Sequence, residues 1–245
     1  MTAAEERPRV SVCMAAYNGS RFIAAQVASI LPQLAARDEL IIVDDDSQDE
    51  TPTIIKDVLD ARVRLIRNER NFGIARSFEK ALALASGRVI FLSDQDDLWI
   101  EGKVKKVLGA FERFPDVDLV TTDAVLIDEN GAQLEESYYK TRGKFRPGVL
   151  SNLVRCKYLG STMAFRSCLL SKAMPFPSGN AVLHDIWIGV INAMSRGRAF
   201  HVDEPLVKYR RHAATATGGK LGVMRQLDIR FQLVKAVANY WMRTP

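Results

Sequence analysis

The sequence predicts an α/β fold, a single domain with a mostly parallel central sheet flanked by helices and a Rossmann-like first half, on three observations. Four short apolar runs, at 10–15, 40–43, 63–66 and 88–92, each lead into turn-type or clustered polar residues. Between them lie segments whose apolar residues recur at helical spacing. Strands alternating with such helices imply right-handed crossovers, and these give a parallel sheet covered on both faces. At 245 residues and 47% hydrophobic, the chain is long enough for one substantial core.

Val10 to Ala15 reads as a buried strand delivering the loop Tyr17-Asn18-Gly19. A helix should follow, with Ile23, Val27, Ile30 and Leu34 on one stripe and Ser20 as its cap. Leu40 to Val43 is the second strand, ended by Asp44-Asp45-Asp46-Ser47, and Thr51-Pro52 opens the next helix where proline's missing donor is harmless. Val63 to Ile66 is the third strand, Asn71-Phe72-Gly73 a turn, and Ile74, Phe78, Leu82 and Ala85 a helical stripe. Arg88 to Leu92 is the fourth strand, stopped by Ser93-Asp94-Gln95-Asp96-Asp97. In open α/β sheets ligands bind outside the carboxyl ends of the strands. The polar clusters at Tyr17-Asn18, Asp44-Asp45 and Asp94 to Asp97 therefore fall along one crevice.

The second half is less regular. Leu119 to Ile127 and Ser161 to Phe165 read as strands, His184-Asp185-Ile186-Trp187 starts a helix with Trp187, Ile191 and Met194 on one stripe, and Tyr209-Arg210-Arg211-His212 closes a short strand.

Composition narrows the classes. A net charge of +5 without a basic tract or aromatic interleaving argues against nucleic acid as a partner. Cys13, Cys156 and Cys168 form neither a disulfide framework nor a CxxC metal site, which fits a reducing cytoplasm. There is no signal core and no apolar run of about 20 residues, so a soluble or peripheral protein is expected.

Asp94, Asp96 and Asp97 crowd three carboxylates into four residues at a strand end, where repulsion needs relief from a cation or from solvent. Mg²⁺ or Mn²⁺ takes oxygen ligands and shares them with substrate phosphates, so an open acidic site suits a diphosphate. A solvated acidic turn is the alternative. A calcium loop fails, because Trp99 stands where the glycine is required and Lys105 where the glutamate is. Asp44 and Asp45 can accept from a base N–H or a ribose hydroxyl; helix capping by Ser47 or Asp49 is their alternative context. Neither GxGxxG nor GxxxxGK[ST] occurs.

The ordered motifs Val10 to Asn18, Ile42 to Thr51, Asn71-Phe72-Gly73 and Ser93 to Trp99 resemble family-2 glycosyltransferases of the A-type fold. Gly160 to Phe165, His184 to Trp187 and Tyr209 to His212 look like the branch that includes bacterial rhamnosyltransferases. The resemblance spans about residues 9 to 218. It implies inverting, metal-dependent transfer of a single sugar from a nucleotide-diphosphate donor, dTDP-rhamnose or a UDP-sugar, to a glycan or lipid-linked acceptor of surface polysaccharide. The absence of QxxRW implies non-processive transfer.

Roles follow by matching position. Asp45 would hold the pyrimidine, with Asp44 and the Ala16-Tyr17 backbone nearby, and Asn71 and Gly73 would line the nucleoside pocket. Asp94 and Asp96 occupy the DxD positions, with Asp96 the direct metal ligand and Asp94 nearer the ribose, while His212 lies near the metal and pyrophosphate. Arg210 and Arg211 are cations for the leaving diphosphate. Asp185 matches the general base, with Trp187 as an apolar wall. On the acceptor side would stand Trp99, the floor Gly160, Ser161 and Thr162, and His184.

The expected organisation is a catalytic domain over 1–218, with a nucleotide-sugar half at about 9–100 and an acceptor half at about 101–218, then a basic amphipathic helix over 219–245. That helix has three readings: docking onto the domain, a dimer contact, or peripheral contact with the cytoplasmic face of an anionic inner membrane. Two other functional classes are a sugar-nucleotide pyrophosphorylase, which lacks support because the loop 15–20 carries no cation and only Arg21 is nearby, and a non-catalytic nucleotide-sugar-binding module.

Overall fold

The computed structural model describes residues 9–154, 158–178, 182–212 and 223–243. Cys156 and Leu221, both named from the sequence, lie outside the described residues. Strands β1 (Val10–Ala16), β2 (Glu39–Asp44), β3 (Val63–Arg67) and β4 (Val89–Asp94) pair in parallel in the order β3-β2-β1-β4. From β1 the chain builds outward to β2 and β3, then returns to place β4 on the other side of β1. Ala16 pairs with Asp44 and Ala15 with Asp94, so the three polar strand ends stand side by side at the switch in strand order.

The sheet continues into the second half. It comprises β5 (Leu98–Trp99), β6 (Val117–Ile127), β7 (Gln133–Glu135), β8 (Met163–Arg166) and β9 (Arg198–Arg210). Antiparallel β8 lies between β4 and β6, β9 runs parallel to β6, and β5 closes on β9 in antiparallel sense. One nine-stranded, largely parallel sheet thus runs through both halves.

Alternation along the strands divides the core. Val12, Met14 and Ile42 face one layer, covered by α1 (Ile23–Ile30), α2 (Thr51–Lys56) and α4 (Lys103–Arg113). Cys13, Ile41 and Val43 face the other, covered by α3 (Ile74–Leu84), α7 (Leu170–Ala173), α8 (His184–Met194) and α9 (Val223–Arg243). Two short helices, α5 (Tyr138–Arg142) and α6 (Val149–Val154), lie in the excursion after β7.

Four local expectations change. Ser20 does not cap α1: Phe22 holds that position without a side-chain bond, and the Ser20 N–H donates to Asp49 instead. The strand expected from Ser161 starts at Met163, because Gly160–Thr162 is a 3₁₀ turn closed by Thr162 N–H to the Leu159 carbonyl. The strand ending at Arg210 spans 13 residues rather than a few, since it pairs along β6. Neither Ser47 nor Asp49 is the N-cap of α2, although Asp49 accepts from the Thr51 N–H.

Ile42 is fully buried in β2, an interior strand between β3 and β1. Ile42→Ala should destabilise the fold by about 2–5 kcal/mol, read as a lower urea midpoint with an unchanged slope.

Candidate active site

A cavity of about 340 Å³ opens over the carboxyl ends of β1, β2 and β4. Of the residues singled out in the sequence, Ala16, Tyr17, Asp45, Asn71, Gly73, Asp94, Asp96, Gly160, His184 and Asp185 border it. Ala15, Ile74, Gln95, Leu159, Leu183 and Tyr209 complete its wall.

Asp45 organises one end. Its carboxylate accepts from Asn68 Nδ2 at 2.7 Å, the Phe72 N–H at 2.9 Å and the Gly73 N–H at 2.8 Å. Gly73 supplies this donor at φ 89°, in the left-handed region where glycine is unstrained, and then starts α3. A carboxylate offers about four lone-pair directions, so three are spent on the loop and one is left for the cavity. Asp44 does not reach the cavity: it is buried, and its Oδ2 faces Arg67 Nε at 3.4 Å and the Ser47 N–H at 3.3 Å.

The loop after β1 is stitched in place. Gln95 accepts from the Tyr17 N–H at 3.0 Å and donates to the Tyr17 carbonyl at 2.9 Å, tying this loop to the segment from Asp94 to Asp96. The N–H groups of Asn18, Gly19 and Ser20 donate to Ser47, Thr51 and Asp49. They are therefore committed to protein acceptors, unlike the free N–H groups of a triphosphate-binding loop.

At the other end, Asp94 and Asp96 face the cavity while Asp97 turns inward. Asp97 is fully buried, and its Oδ1 accepts from the Arg210 N–H at 2.9 Å. Asp96 Oδ2 lies 2.7 Å from His212 Nε2, and that imidazole leans on Phe22 with ring centroids 5.0 Å apart. Burial, followed by the charges of Asp97, Asp96 and Asp185, raises the Asp94 carboxyl well above the usual range, with Lys103 opposing. Among the described residues no three acid, histidine or cysteine side chains form a ready metal cage. The oxygen-rich pair Asp94 and Asp96, crowded enough that a cation would relieve them, nonetheless fits a hard divalent ion completing its shell from phosphates.

Asp185 stands in the first turn of α8, and its Oδ1 accepts from the Ile186 N–H at 2.7 Å. Burial raises its pKa to about 6, overriding the backbone donors that lower it. His184 does not orient it. The imidazole stacks on Phe78 with centroids 3.6 Å apart, and neither ring nitrogen has a hydrogen-bond partner. Burial lowers its pKa to about 3, so it is a neutral, packed ring at the cavity wall.

Several expected contacts are corrected by direction. The Arg210 guanidinium donates to the carbonyls of Asp96, Asp128 and Glu129 and covers the Phe22 ring, so it braces the site rather than reaching into it. Arg211 is not at the cavity wall; its N–H continues the ladder to Ile127. Trp99 is buried against Phe91 beneath the site. Ser161 and Thr162 lie below the floor, leaving only Gly160 of that turn exposed to the cavity. Trp187 points away from Asp185, into the core on the far side of α8, where its Nε1 donates to the Ala173 carbonyl at 2.7 Å.

Lys103 was not anticipated as part of the site. It is fully buried, its Nζ donates to the Ser161 carbonyl at 2.6 Å, and it sits 4.1 Å from the Trp99 ring centroid. Its charge acts on Asp97 and Asp94 from below. Burial raises Asp97 and lowers Lys103, and each charge counteracts the shift of the other. The sequence carried a signal for it: positions 103, 104, 107, 108 and 111 form the inward stripe of α4, and a lysine heads that stripe.

The comparisons with known proteins agree with this architecture. The profile described as Glycosyl transferase family 2 matches residues 11–169. Two Escherichia coli proteins named as UDP-Glc:alpha-D-GlcNAc-diphosphoundecaprenol beta-1,3-glucosyltransferases, WfaP and WfgD, are similar in sequence. WfaP is 27% identical over 225 residues, 90% of this chain and 84% of its own length. WfgD is 41% identical over 96 residues, which span 39% of this chain and only 38% of WfgD. Among solved structures, Staphylococcus aureus TarS 1-349 with UDP-GlcNAc superposes with a TM-score of 0.74 at 18% identity, covering 94% of this chain and 67% of that one. The mannosyltransferase PcManGT of Pyrobaculum calidifontis, with GDP-Man and Mn²⁺, gives a TM-score of 0.62 at 20% identity, covering 97% of this chain and 64% of that one. At these identities the structural likeness speaks for the fold.

Lys103→Met should destabilise the protein by about 3 kcal/mol or more, because it leaves buried carboxylates without their counter-charge. Adding Asp97→Asn should recover part of that loss. Strict additivity of the two substitutions in urea denaturation would separate the two residues.

Proposed function

We infer from membership of glycosyl transferase family 2, to which this chain belongs, that it transfers a single sugar with inversion from a nucleotide-diphosphate donor to a lipid-linked glycan acceptor. One observation carries the reading: Asp45, the pair Asp94 and Asp96, and Asp185 all border one cavity, so a base contact, a diphosphate site and a proton acceptor lie within reach of one donor. The names of the Escherichia coli relatives favour a uridine-diphosphate hexose and a diphosphate-linked lipid acceptor. Only the likeness of the second-half motifs points to dTDP-rhamnose instead. Residues 9–100 would then be the donor half and 101–218 the acceptor half, with a C-terminal helix beyond them.

The nucleotide would lie toward Asp45, Asn71 and Gly73, with the Ala16-Tyr17 backbone beside the base. Mg²⁺ or Mn²⁺ would be held by Asp96, with Asp94 and His212 adjoining, and supplies positive charge against the diphosphate as it leaves. His212 orients the Asp96 carboxylate through its 2.7 Å contact. Lys103 and Arg210 act from behind the acids, the first as a buried amine whose charge offsets Asp97 and Asp94 and the second as a brace. Gly160 leaves room above the floor for an acceptor hydroxyl to approach Asp185. As that hydroxyl attacks the anomeric carbon and the bond to the diphosphate breaks, its proton passes to the Asp185 carboxylate. Inversion follows from attack on the face opposite the leaving group.

Uridine-diphosphate sugars should raise the melting temperature more with Mn²⁺ than without it, and Asp96→Ala should remove that increment. An equal shift in the variant would displace Asp96 from the metal site. Asp185→Asn should keep donor binding and lower transfer by about 10²–10⁴-fold. Because Asp185 must be ionised to accept a proton, kcat/KM should fall as pH drops below about 6 and level off above it. A rate–pH profile flat through that region would remove it as the base.

A further inference from the structure

The helix α9 has two apolar faces. Inward, Leu233 and Ala236 are buried, and Val237 and Tyr240 pack on the same core layer as Trp187. Outward, Met224, Leu227, Phe231, Val234, Trp241 and Met242 are exposed, Trp241 to 77%. Steps of three, four, three and seven residues from Met224 to Trp241 keep them on one stripe. At about 100° per residue, exposed Arg230 borders one edge of that stripe and exposed Lys235 the other. Within the helix sequence four cations stand against the single acid Asp228. Elsewhere among the described residues, exposed large apolar side chains such as Leu59 and Leu134 occur singly.

Beside this helix lies a cavity of about 600 Å³, larger than the donor cavity and separated from it by the first turn of α8. That turn sends Asp185 to one cavity and Trp187 to the other. Arg76, Lys172 and Lys235 line the second cavity together with Trp187 and Tyr240, and none of its described lining residues is acidic. Arg76 is shared with Glu79 and the Pro177 carbonyl, while Lys235 belongs both to the cavity and to the border of the stripe. A second protein copy would account for the apolar stripe alone, and a small soluble anion for the cationic cavity alone. An anionic bilayer accounts for both, because an interfacial helix buries its apolar face while flanking cations meet lipid phosphates.

We propose that the outward face of α9 and this cavity together dock the protein on an anionic lipid surface, the stripe entering the apolar layer and the cavity holding a lipid phosphate. The proposal deepens the lipid-linked acceptor reading, since such an acceptor is presented at that surface. Its test needs no turnover, so failure to bind lipid and failure to transfer sugar are separately visible.

The full chain should co-sediment with phosphatidylcholine–phosphatidylglycerol vesicles and much less with phosphatidylcholine alone, with exposed Trp241 shifting its emission to the blue. Phe231→Glu with Val234→Glu, and separately Lys172→Glu with Lys235→Glu, should each weaken binding at least about tenfold while leaving donor-induced thermal shifts unchanged. Absence of binding to the anionic vesicles, or binding by either double variant as tight as that of the unsubstituted protein, would overturn the proposal. So would a stripe-dependent dimer in sedimentation velocity without vesicle binding, or protection by inorganic phosphate without vesicle binding.

Discussion

The structure turns on the placement of negative charge at the ends of parallel strands. Asp94, Asp96 and Asp97 leave β4 beside the end of β1, and a cluster this dense persists only if each charge is answered. One answer comes from the next helix and two from the far end of the last strand. Lys103 approaches from below on α4, His212 binds Asp96, and the backbone of Arg210 donates to Asp97. The cluster therefore joins the first half of the sheet to its last strand. The Arg210 side chain adds a second tie by gathering the carbonyls of Asp96, Asp128 and Glu129.

At the opposite end of the cavity a single carboxylate works the other way. Asp45 organises three donors instead of needing cations, and through the Phe72 and Gly73 N–H groups it fixes the turn into α3. Gln95 links the two ends by pairing with the Tyr17 backbone. The walls of the cavity are thus preorganised by bonds internal to the protein. A ligand entering it would meet groups already oriented, at a smaller entropic cost than if it had to order them.

The first half of the fold was legible because its strands are short, three of the four are largely apolar on both faces, and polar or turn residues follow them. The register that sets Ala16 beside Asp44 and Ala15 beside Asp94 follows from that layout. Side-chain direction was less legible. Trp99, Trp187 and Arg210 sit within motifs that flank the cavity, yet Trp99 and Trp187 turn into the core and Arg210 onto neighbouring carbonyls. A motif gives the position of a residue along the chain, whereas its direction depends on strand pairing and helix phase, here the β5–β9 pairing and the inward face of α8. Lys103 is the reverse case. Its helical phase made it an inward residue from sequence, and the acids it meets lie six to nine residues before it, but the turn at Gly102 that folds the helix back beneath them has no signature in the apolar pattern.

The first turn of α8 shows how one helix serves two chemical environments. Successive residues point about 100° apart, so Asp185 and Trp187 diverge by about 200° and cannot share a wall. His184, packed flat on Phe78, fixes the depth of that turn without claiming a hydrogen bond. The carboxylate is consequently held against the cavity over the strand ends, desolvated and close enough for Asp94 to respond to its charge, while the indole anchors the same turn to the layer that carries α9. Asp185 and α9 are thus joined through one side chain, Trp187, whose ring meets Tyr240 at 6.0 Å and whose Nε1 is tied to the Ala173 carbonyl.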